Sequence, residues 1–512
     1  MPINAVGREV PSEINGQKFK PFAGDMKTPP EGRRAGSLIR MAPRGRSKIV
    51  NSIEEVIKKV GLEDGMTVSF HHHLRNGDYV VNMVMKTIEK MGFKDIRVFP
   101  TALFPIHEPL VPMLKNGVIR RIEGSMNGPV GEATSYGAMR ETAVLRSHSG
   151  RVRAVESGEV HIDVAFIAAP TADPYGNLNG VDGPSACGPL AYAMVDAYHA
   201  DHVVAITDHI VPYPAHPISI YQHNVDYVVP VDKIGDPKGI MSGTLRITTS
   251  PSRLKIARYA LEVIERVALK PGFSFQAGAG GISLAVTKFL GDVMRKKGIK
   301  ASFINGGVTK YVVEMLHEGL VDVVLDGQAF DLDAVKSLRD DPNHIETPLA
   351  MYGNPYSSGG IVNMLDAGVL GATEVDIDFN VNVNTHSDGL LLHGIGGHQE
   401  VAAGSALTII TVPLYRYRVP VVRERVTTVT TPGEVVDVVV TEYGIAINPK
   451  RDDIIEAMRG SKVPIWDIQD LQKKAYQICG KPQEPKTTDD IIAAILWRDG
   501  TIIDVVYKVK KD

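Results

Sequence analysis

Cysteine is almost absent from the sequence, which contains only Cys187 and Cys479 among 512 residues. Two cysteines cannot build a disulfide framework or a cysteine-type zinc site, and this usage is typical of a reducing compartment. No apolar run reaches the ~18 residues that a bilayer-spanning helix needs, and the N-terminal residues lack the layout of a signal peptide. We therefore expect a cytoplasmic protein with no membrane partner.

An excess of positive charge is also missing. Lysine and arginine number 56, aspartate and glutamate number 59, and the formal net charge is −3. Because nucleic-acid binding requires a strongly basic face, nucleic acid is not expected as a partner. Glycine, by contrast, is frequent, with 49 residues. Many of these glycines stand between predicted strands and helices, which favours ligand-binding loops.

The order of predicted elements indicates an α/β fold. From Lys48 onward, short apolar strands alternate with amphipathic helices, a pattern typical of parallel sheets covered by helices. Two βαβ units are predicted, at 67–99 and 273–305, and Asp163 and Asp437 each begin an apolar strand. We interpret these as matching pairs, which predicts an internal duplication and hence two similar domains.

The N-terminal segment is rich in Pro, Gly, Lys and Arg and has no sustained period. It predicts an extended arm that grips a partner subunit, or alternatively a disordered tail. The join between the two halves is expected near 231–252, where Gly, Pro and Ser cluster. The predicted parts are an extended arm at 1–45, a first domain at 46–240 and a second domain at 241–512.

A first glycine loop, at 276–281, separates a predicted strand from a predicted helix. Small residues let backbone N–H groups approach a ligand, and the helix N-terminus adds a positive partial charge. Gly278 and Gly280 match two glycines of a dinucleotide motif, but the third is missing. We expect Gly280 and Gly281 to act in catalysis and Gln276, Gly278 and Ala279 to bind a cofactor; tight strand-to-helix packing is the alternative.

A second glycine loop contains Gly396, Gly397 and His398. If both loops lie at the carboxyl ends of their strands, their amides converge on one developing oxyanion, and each donor contributes ~3 kcal/mol to transition-state stabilisation. His398 is expected to donate a further hydrogen bond, although a histidine satisfied by its own loop fits the sequence equally well.

Three consecutive histidines, 71–73, precede a charged turn. Alternate side chains of a strand point to opposite faces, so at most two of the three can share one ion, and no metal site is predicted. Arg75 offers a two-pronged donor for carboxylate or phosphate, and Asn76 stands next to a helix N-terminus. We assign substrate binding to His72, His73, Arg75 and Asn76, with an ordinary polar turn as the alternative.

Two further groups complete the candidate site. Glu442 follows an apolar strand, where a carboxylate can act as base or nucleophile or can simply hold neighbouring amides. Ser357 and Ser358 lie in a polar loop whose hydroxyls suit a ligand with several carboxylates or hydroxyls. We include Glu442 among the catalytic residues and the two serines among the substrate-binding residues.

The order of the motifs resembles a known superfamily. The motifs FQAGAGG, NPYSSGG, HGIGGHQEVAAGS and TEYGIAIN, in this order, resemble those of the acyl-CoA transferase and acetyl-CoA hydrolase superfamily. With SFHHHLRNGD and APTADPYGNLNGVDGPSACGPL, nearly the whole chain resembles the citrate lyase alpha-subunit family. The resemblance implies two CoA-transferase-type (NagB/RpiA-like) domains with mostly parallel sheets. It also implies exchange of acetyl for citryl on an acyl-carrier-protein thioester, with release of acetate.

The same resemblance implies partners and cofactors. These are a citrate lyase beta subunit, a gamma acyl-carrier subunit, citrate and acetate, in a complex where this chain is expected to form a homo-oligomer. No tightly bound cofactor is expected on this chain. The CoA-like phosphopantetheine group belongs to the carrier, and acetyl-CoA is its surrogate. A malonate-type carrier-dependent transferase and a non-catalytic scaffold that binds the carrier are the alternatives.

One departure from the superfamily concerns the nucleophile. Ordinary transferases carry a glutamate after the first glycine loop, and Ser302 stands at the matching position of this sequence. We therefore expect direct attack of a citrate carboxylate on the acetyl thioester, through a mixed anhydride, with positioning contributing about 7 to 11 kcal/mol. Glu374 and Asp376 are expected to be structural carboxylates.

Overall fold

The computed structural model describes residues 1–25, 46–241, 246–278 and 280–511, so Ala279 and residues 26–45 of the predicted arm lie outside them. The described residues form 29 strands and 14 α-helices, joined by short 3₁₀ turns. The strands are β1 Glu13–Ile14, β2 Gln17–Lys18, β3 Thr67–Phe70, β4 Ile96–Pro100, β5 Ala102–Leu103, β6 Ile119–Ile122, β7 Ser125–Met126, β8 Ala143–Leu145, β9 Val164–Ala169, β10 Thr171–Ala172, β11 Leu178–Asn179, β12 His202–Thr207, β13 Tyr227–Pro230, β14 Ser274–Ala277, β15 Ala301–Val308, β16 Val321–Ala329, β17 His344–Glu346, β18 Ala367–Gly371, β19 Glu374–Asp376, β20 Val381–Asn382, β21 Thr408–Thr411, β22 Tyr415–Arg416, β23 Val419–Pro420, β24 Val422–Arg423, β25 Val438–Thr441, β26 Gly444–Ile447, β27 Ile465–Trp466, β28 Thr487–Leu496 and β29 Ile502–Val509. The helices are α1 Ile53–Lys59, α2 Val80–Lys90, α3 Val111–Lys115, α4 Pro129–Ser135, α5 His148–Glu156, α6 Met194–His199, α7 Pro251–Val267, α8 Gly281–Lys297, α9 Lys310–His317, α10 Leu332–Asp340, α11 Leu349–Gly353, α12 His398–Gly404, α13 Asp452–Ala457 and α14 Ile468–Cys479.

Two large sheets organise the chain, and both are predominantly parallel. The first has the order β6-β4-β3-β9-β12-β13 with every pair parallel. The second has the order β17-β16-β15-β14-β18-β21-β25-β26-β27, in which only the β25–β26 pair is antiparallel. Apolar side chains fill both sheets, as buried parallel strands require. The α/β class predicted from the sequence is confirmed.

The duplication is visible in the strand order of the sheets. In the first sheet the chain runs outward from β3 to β6, returns to β9 beside β3, and continues to β13. In the second it runs outward from β14, returns to β18 beside β14, and continues to β25. Each sheet therefore has one point where the strand order reverses, and ligands of open parallel sheets bind outside the carboxyl ends of the strands at such points.

The pairing of Asp163 with Asp437 as equivalent residues is wrong. Asp163 precedes β9 and accepts a 2.7 Å hydrogen bond from the Thr67 amide at the start of β3. At the corresponding place of the second sheet, Asp366 precedes β18 and accepts from the Ser274 amide at 2.9 Å. Asp437 instead accepts from the Thr408 amide at the start of β21, a strand farther out in the sheet. An aspartate that accepts from the first amide of the neighbouring strand occurs at several strand starts, which is why the sequence pattern paired the wrong residues.

Helix α8 shows why the glycine loop ends where it does. The helix begins at Gly281, and Gly280 is its N-terminal cap. It ends at Gly298, whose φ of 62° places it in the left-handed region that glycine adopts without steric cost. The first turn of the helix is therefore part of the loop at the carboxyl edge.

The two ends of the chain pack together on the first half. Strands β28 and β29 form an antiparallel hairpin, and β28 pairs in parallel with β8. Residues 1–25 cover this hairpin, and the Phe22 ring lies edge-on against Trp497 at 5.4 Å between ring centres. The boundaries at 45/46 and 240/241 stay a prediction, but the C-terminal hairpin is joined to the half that contains β8. Within the part of the chain described, no helix is both long and apolar enough to cross a bilayer.

Candidate active site

The carboxyl edges of the two sheets face each other, and we call the region between them the cleft. The loop after β3 carries His72, whose Nε2 lies 3.3 Å from Oε1 of Gln328 near the carboxyl end of β16. The same loop carries Arg75, whose guanidinium carbon lies 4.9 Å from the ring centre of Phe330, just beyond β16. Because the reversal points of both sheets open onto this cleft, it is the candidate active site.

A cluster of neutral rings forms the centre of the cleft. The ring of His72 lies 4.3 Å from that of Tyr192 and 5.7 Å from that of His148, measured between centres. The Tyr192 hydroxyl donates to Gln328 Oε1 at 3.2 Å and lies 3.2 Å from His148 Nε2. Burial holds the pKa of His72 well below its usual value and, together with Arg151 and Arg75, lowers the pKa of His148 to about 3. Both imidazoles are therefore uncharged at neutral pH, and they serve as hydrogen-bonding rather than charged groups.

Arg75 supplies the positive charge of the cleft. Its guanidinium carbon lies 5.1 Å from the ring centre of Phe104, besides the contact with Phe330. Its Nε atom is buried and has no hydrogen-bond partner, and no carboxylate of the described residues lies within 4.0 Å of its guanidinium. Burial lowers the pKa of Arg75 from its ordinary value, although a guanidinium stays protonated. A partly buried cation without a carboxylate partner in the described part of the chain favours an anionic ligand.

The second glycine loop joins the cleft through a tyrosine. A Cβ added at Gly397 would lie 2.5 Å from Oη of Tyr352, and this oxygen accepts a 2.7 Å hydrogen bond from Gln276 Nε2. Gln276 Oε1 in turn accepts from Asn305 Nδ2 at 3.1 Å. The loop also touches the ring cluster, because the carbonyl of Gly396 accepts from the His148 amide at 2.9 Å. Gly396, Gly397 and Gln276, which the sequence singled out separately, are thus brought together.

Some donors of the glycine loops are available and others are not. Among the described residues, the amides of Gly396 and Gly397 have no protein acceptor. The amide of Gly278, in contrast, already donates to the Val369 carbonyl at 2.9 Å, which fixes the loop to β18. Gly280 is exposed at the N-terminus of α8, with open space where a side chain would stand, and Gly281 follows it. In the part of the chain that the structure describes, the amides at 280–281 and 396–397 are therefore left without a protein acceptor.

Two predicted substrate-binding residues of the loop after β3, His73 and Asn76, point away from the ring cluster. His73 is buried on the opposite side from His72, stacked on His71, and its Nε2 bonds the Ala168 carbonyl at 2.7 Å. Asn76 is exposed, and its Oδ1 accepts from the Ile106 amide at 3.1 Å. The expected alternation of side chains along the loop is what separates His72 from His73.

His398 is fully occupied by protein groups. Its Nδ1 lies 2.7 Å from the Thr431 hydroxyl and its Nε2 lies 3.1 Å from the Gly371 carbonyl. Burial lowers its pKa to about 4, so the neutral ring has one N–H, which the carbonyl takes. A hydrogen bond from His398 to a ligand would require breaking one of these contacts, and its catalytic role stays a prediction.

The remaining predicted residues lie outside the central cleft. Ser357 and Ser358 are exposed, and the Ser357 hydroxyl donates to the Gly359 carbonyl. Glu442 follows β25, and its Oε2 accepts from the Leu414 amide at 2.9 Å. Their roles in substrate binding and catalysis stay predictions.

Ser302 is not placed where a transferase nucleophile must be. It stands at the amino end of β15, where its hydroxyl donates to the Phe273 carbonyl, whereas Gln276 contacts Asn305 nearer the carboxyl end. Four residues of strand separate Ser302 from Gly306, or roughly 13 Å. Ser302 therefore lies away from the carboxyl edge of the sheet, and its assignment to the glutamate position of the superfamily stays a prediction.

Glu374 and Asp376 are held by the protein. Glu374 is buried and pairs with Arg423, and it also accepts from the Thr427 amide at 2.7 Å. Asp376 accepts from the Asn380 amide at 2.9 Å, while burial raises its pKa to about 6. These contacts agree with the structural role expected for both residues.

Several residues of the cleft were missed in the sequence. Gln328 ends an apolar strand, so the carboxyl-end rule would have found it. His148, Tyr192 and Tyr352 follow no such strand, and only the fold brings them to the cleft. Glu400 was also missed: it is buried in α12, its Oε1 accepts from the Ser149 amide at 3.1 Å, and its Oε2 has no partner.

Comparison with known proteins agrees with this architecture. A family model for the citrate lyase alpha subunit matches residues 46–509. The citrate lyase alpha chains of Klebsiella pneumoniae and Haemophilus influenzae are 47% and 46% identical over 487 and 496 residues, covering 94% and 96% of this chain and 96% and 99% of theirs. A crystal structure from Streptococcus mutans of an alpha subunit of citrate lyase in complex with citrate is 47% identical, with a TM-score of 0.96 and coverage of 99% of this chain and 100% of that chain. A Pseudomonas malonate decarboxylase in complex with malonate shares the fold at 17% identity, with a TM-score of 0.64 and coverage of 85% and 84%. The chain belongs to the citrate lyase alpha-subunit family.

Proposed function

We propose that the chain is the citrate:acetyl-carrier transferase of a citrate lyase complex, exchanging acetyl for citryl on a carrier-protein thioester and releasing acetate. The observation that carries this proposal is the Arg75 guanidinium, which is partly buried between the two sheets, has a buried Nε without a hydrogen-bond partner, and has no carboxylate partner among the described residues. A polycarboxylate substrate supplies the missing counter-ion. Family membership supports the same reaction.

The residues of the cleft divide the work between binding and stabilisation. Arg75 binds one citrate carboxylate, and the neutral ring of His72 lies beside it. The amides of Gly396 and Gly397, which have no protein acceptor among the described residues, stabilise the oxyanion that forms when the thioester carbonyl is attacked in this proposal. Because these groups are fixed by the fold before substrate binds, their reorganisation cost is low.

The reaction balances without an enzyme nucleophile. A citrate carboxylate oxygen attacks the acetyl carbonyl, the carbon–sulfur bond breaks, and the carrier thiolate departs. The product of this step is a mixed acetyl–citryl anhydride. The thiolate then attacks the citryl carbonyl of the anhydride. The bond from that carbonyl to the bridging oxygen breaks, so acetate departs with an oxygen that came from citrate.

The origin of that oxygen provides the test. We would incubate the chain with acetyl-CoA and citrate labelled with ¹⁸O in its carboxylates, and analyse the products of the first turnover by mass spectrometry. Direct attack predicts citryl-CoA together with acetate that carries ¹⁸O from the first turnover onward. A covalent route through a glutamate predicts unlabelled acetate first, because the enzyme carboxylate supplies the oxygen.

The remaining outcomes select among alternatives. A protein-bound CoA adduct, sought by peptide mapping at Glu400 and Glu442, would replace direct attack by a glutamyl thioester route. Product with malonate but none with citrate would contradict the choice of substrate. Absence of product with either acid, even with acetylated carrier protein supplied, would leave a carrier-binding scaffold as the function.

The partners of the chain follow from the same proposal. We infer that it works in the cytoplasm with a citrate lyase beta subunit and a gamma acyl-carrier subunit, as a homo-oligomer within the complex. It needs no tightly bound cofactor of its own, because the CoA-like phosphopantetheine arrives on the carrier. The names of the relatives, which are alpha chains, support an assembly with other subunits.

A further inference from the structure

Glu400 is a buried carboxylate to which the proposed transfer chemistry gives no role. It lies in the first turn of α12, three residues after Gly397, and its side chain is fully buried. Its Oε2 atom has no hydrogen-bond partner among the described residues, and the Arg498 guanidinium, the cation whose charge reaches it, pairs with Asp25 instead. A buried carboxylate that lacks a paired cation destabilises a fold, so packing alone does not explain Glu400.

The segment that contains Glu400 completes the N-terminus of α5. An α-helix begins with amides that have no acceptor inside the helix. At α5 the first of these amides, from His148, donates to the Gly396 carbonyl at 2.9 Å, and the second, from Ser149, donates to Oε1 of Glu400 at 3.1 Å. We call this pair of contacts the α5–α12 junction. It connects a helix of the ring cluster with the second glycine loop.

Two helix N-termini meet at the carboxylate of Glu400. The Ser149 amide belongs to the first turn of α5, and Glu400 itself belongs to the first turn of α12. The positive ends of both helix dipoles favour a negative charge at this place. Burial raises the pKa of Glu400 from its ordinary value, while the Ser147 hydroxyl, Arg498 and the amides of Glu400 and Ser149 oppose the rise. A carboxylate accepts these hydrogen bonds more strongly than an uncharged side chain does.

A third helix packs directly on Glu400. A Cβ added at Gly353, the last residue of α11, would lie 2.8 Å from Cγ of Glu400 and 3.0 Å from its Cβ. Glycine is therefore needed for this close approach. Because α11 also carries Tyr352, whose Oη lies against Gly397, the side chain of Glu400 is enclosed by the same elements that hold the second glycine loop.

On its other side, α5 is fixed to the loop that carries Arg75. The guanidinium of Arg151, in α5, donates to both carboxylate oxygens of Asp196 at 2.7 Å. Oδ2 of Asp196 also lies 2.8 Å from Nε2 of His71, which directly follows β3 and begins the loop that contains Arg75. All three side chains are buried. A continuous series of buried contacts therefore runs from Glu400 through α5 to the loop after β3.

We propose that Glu400 is a positioning residue of the transfer reaction, which holds the amides of Gly396 and Gly397 at a fixed place relative to Arg75. The inference rests on the proposed function, in which Arg75 binds citrate and those amides stabilise the oxyanion. Arg75 and the second glycine loop belong to different halves of the chain, so the alignment of the two reactants depends on the α5–α12 junction. A misplacement of about 1 Å is enough to lower a rate about 100-fold. Glu400 acts through the junction and forms no bond with either reactant.

Steady-state kinetics separates positioning from substrate binding and from folding. Glu400→Gln keeps the size of the side chain and removes its charge. We expect kcat to fall about tenfold or more, while KM for citrate and KM for acetyl-CoA change by less than about twofold. The midpoint of urea unfolding should stay at the wild-type value, because the weaker hydrogen bond is offset by removal of a buried charge. Glu400→Asp keeps the charge but is too short to reach the Ser149 amide, so it should lower kcat as well and provides the test if Glu400→Gln does not fold.

Asp437→Asn is the matched control for these variants. Asp437 is also a buried carboxylate that accepts from a backbone amide, that of Thr408 at 2.8 Å, but it lies at the amino edge of the second sheet, opposite the cleft. The control should unfold at a lower urea concentration, because it weakens the ion pair with Arg451, and it should keep the wild-type kcat. An equal loss of kcat in Asp437→Asn and Glu400→Gln would contradict a specific role of Glu400.

Hydrogen–deuterium exchange measures the α5–α12 junction without turnover. Peptides that cover residues 147–152 and 394–401 should exchange about tenfold faster in Glu400→Gln than in the wild type, because the first turn of α5 opens more often. Peptides from β9 should exchange at the same rate in both proteins and serve as the internal reference. Exchange equal to that of the wild type in both junction peptides would overturn the inference, whether or not the chain is active.

The kinetic outcomes that contradict the inference are equally definite. Wild-type kcat in both Glu400 variants would overturn it, and so would a raised KM for citrate at unchanged kcat, which would indicate a binding residue. A CoA adduct on Glu400 would make this residue a nucleophile and would also overturn the inference. If the wild-type chain forms no citryl product, the proposed function fails, and the exchange experiment alone then decides whether Glu400 holds the two helices together.

Discussion

Substitution Gly397→Ala tests the contact that links the two glycine loops. The new Cβ would lie 2.5 Å from Oη of Tyr352 and 3.1 Å from two carbons of its ring, so the buried tyrosine must move. That movement breaks the 2.7 Å hydrogen bond to Gln276. With φ at −92°, the backbone itself tolerates alanine, and the whole effect therefore comes from packing.

The expected loss of stability follows from these contacts. Overpacking a well-packed site costs about 1–3 kcal/mol, the lost hydrogen bond adds about 1 kcal/mol, and the lower entropy of the unfolded alanine chain offsets about 0.4–1 kcal/mol. We expect a net decrease of roughly 1–3 kcal/mol in the free energy of unfolding, from the sum of these terms. Because the movement also displaces the amides of the loop from the thioester carbonyl, kcat should fall about 100-fold.

Urea unfolding and steady-state kinetics measure the two effects. Gly371→Ala is the matched control, because nothing lies within 4 Å of its added Cβ. A second comparison combines Gly397→Ala with Tyr352→Phe, which removes the clashing oxygen, so the two substitutions should be less destabilising together than the sum of each alone. If Gly397→Ala unfolds at the same urea concentration as the control and keeps full activity, the contact with Tyr352 has no role in holding the loop.

Three other perturbations test separate parts of the structure. Arg75→Gln should raise KM for citrate about tenfold or more, with Arg75→Lys recovering part of the loss and KM for acetyl-CoA unchanged; an unaltered citrate KM would refute the anion site. Burial raises the pKa of Glu346 from 4.5 to about 7, so the stability it contributes is present below pH 4.5 and lost as pH rises through 7. Urea titrations of Glu346→Gln at several pH values should show the variant gaining about 2–3 kcal/mol relative to the wild type over that range, and a constant difference would contradict the shift. Deletion of residues 1–25 should expose Trp497 and shift its fluorescence to longer wavelength, measured in a Trp466→Phe background; an unshifted spectrum would show that the segment does not shield Trp497.

The fold was largely predictable because its signals are local. Short apolar strands, glycine-terminated helices such as α8 and two βαβ units all lie within about thirty residues of sequence. The pairing of Asp163 with Asp437 failed for a physical reason: an aspartate that caps a neighbouring strand recurs wherever a parallel strand begins, so the residue alone does not identify its counterpart. Only the order of strands in the sheet shows that Asp366 holds the equivalent place.

The site was predictable to the extent that its residues follow strands. Arg75 and His72 lie where the carboxyl-end rule places them, and Gln328 obeys the same rule. The second glycine loop, in contrast, follows no strand of either large sheet and directly precedes α12. Tyr192 and Tyr352 reach the cleft from helices or turns whose sequences have no distinguishing pattern. His398 resembled a ligand residue because it sits in a glycine loop, yet its two nitrogens bond groups that are 27 and 33 residues away in the chain.

The return of β28 and β29 to the strand β8 limits how the cleft can open. The two halves are connected by the covalent link near residue 240 and again by this hairpin, whose turn carries Trp497 against Phe22 of the N-terminal residues. A single hinge at the covalent link would require the β8–β28 ladder to break. We therefore expect substrate entry and product release to depend on loops around the cleft, because two connections between the halves oppose their separation as rigid bodies.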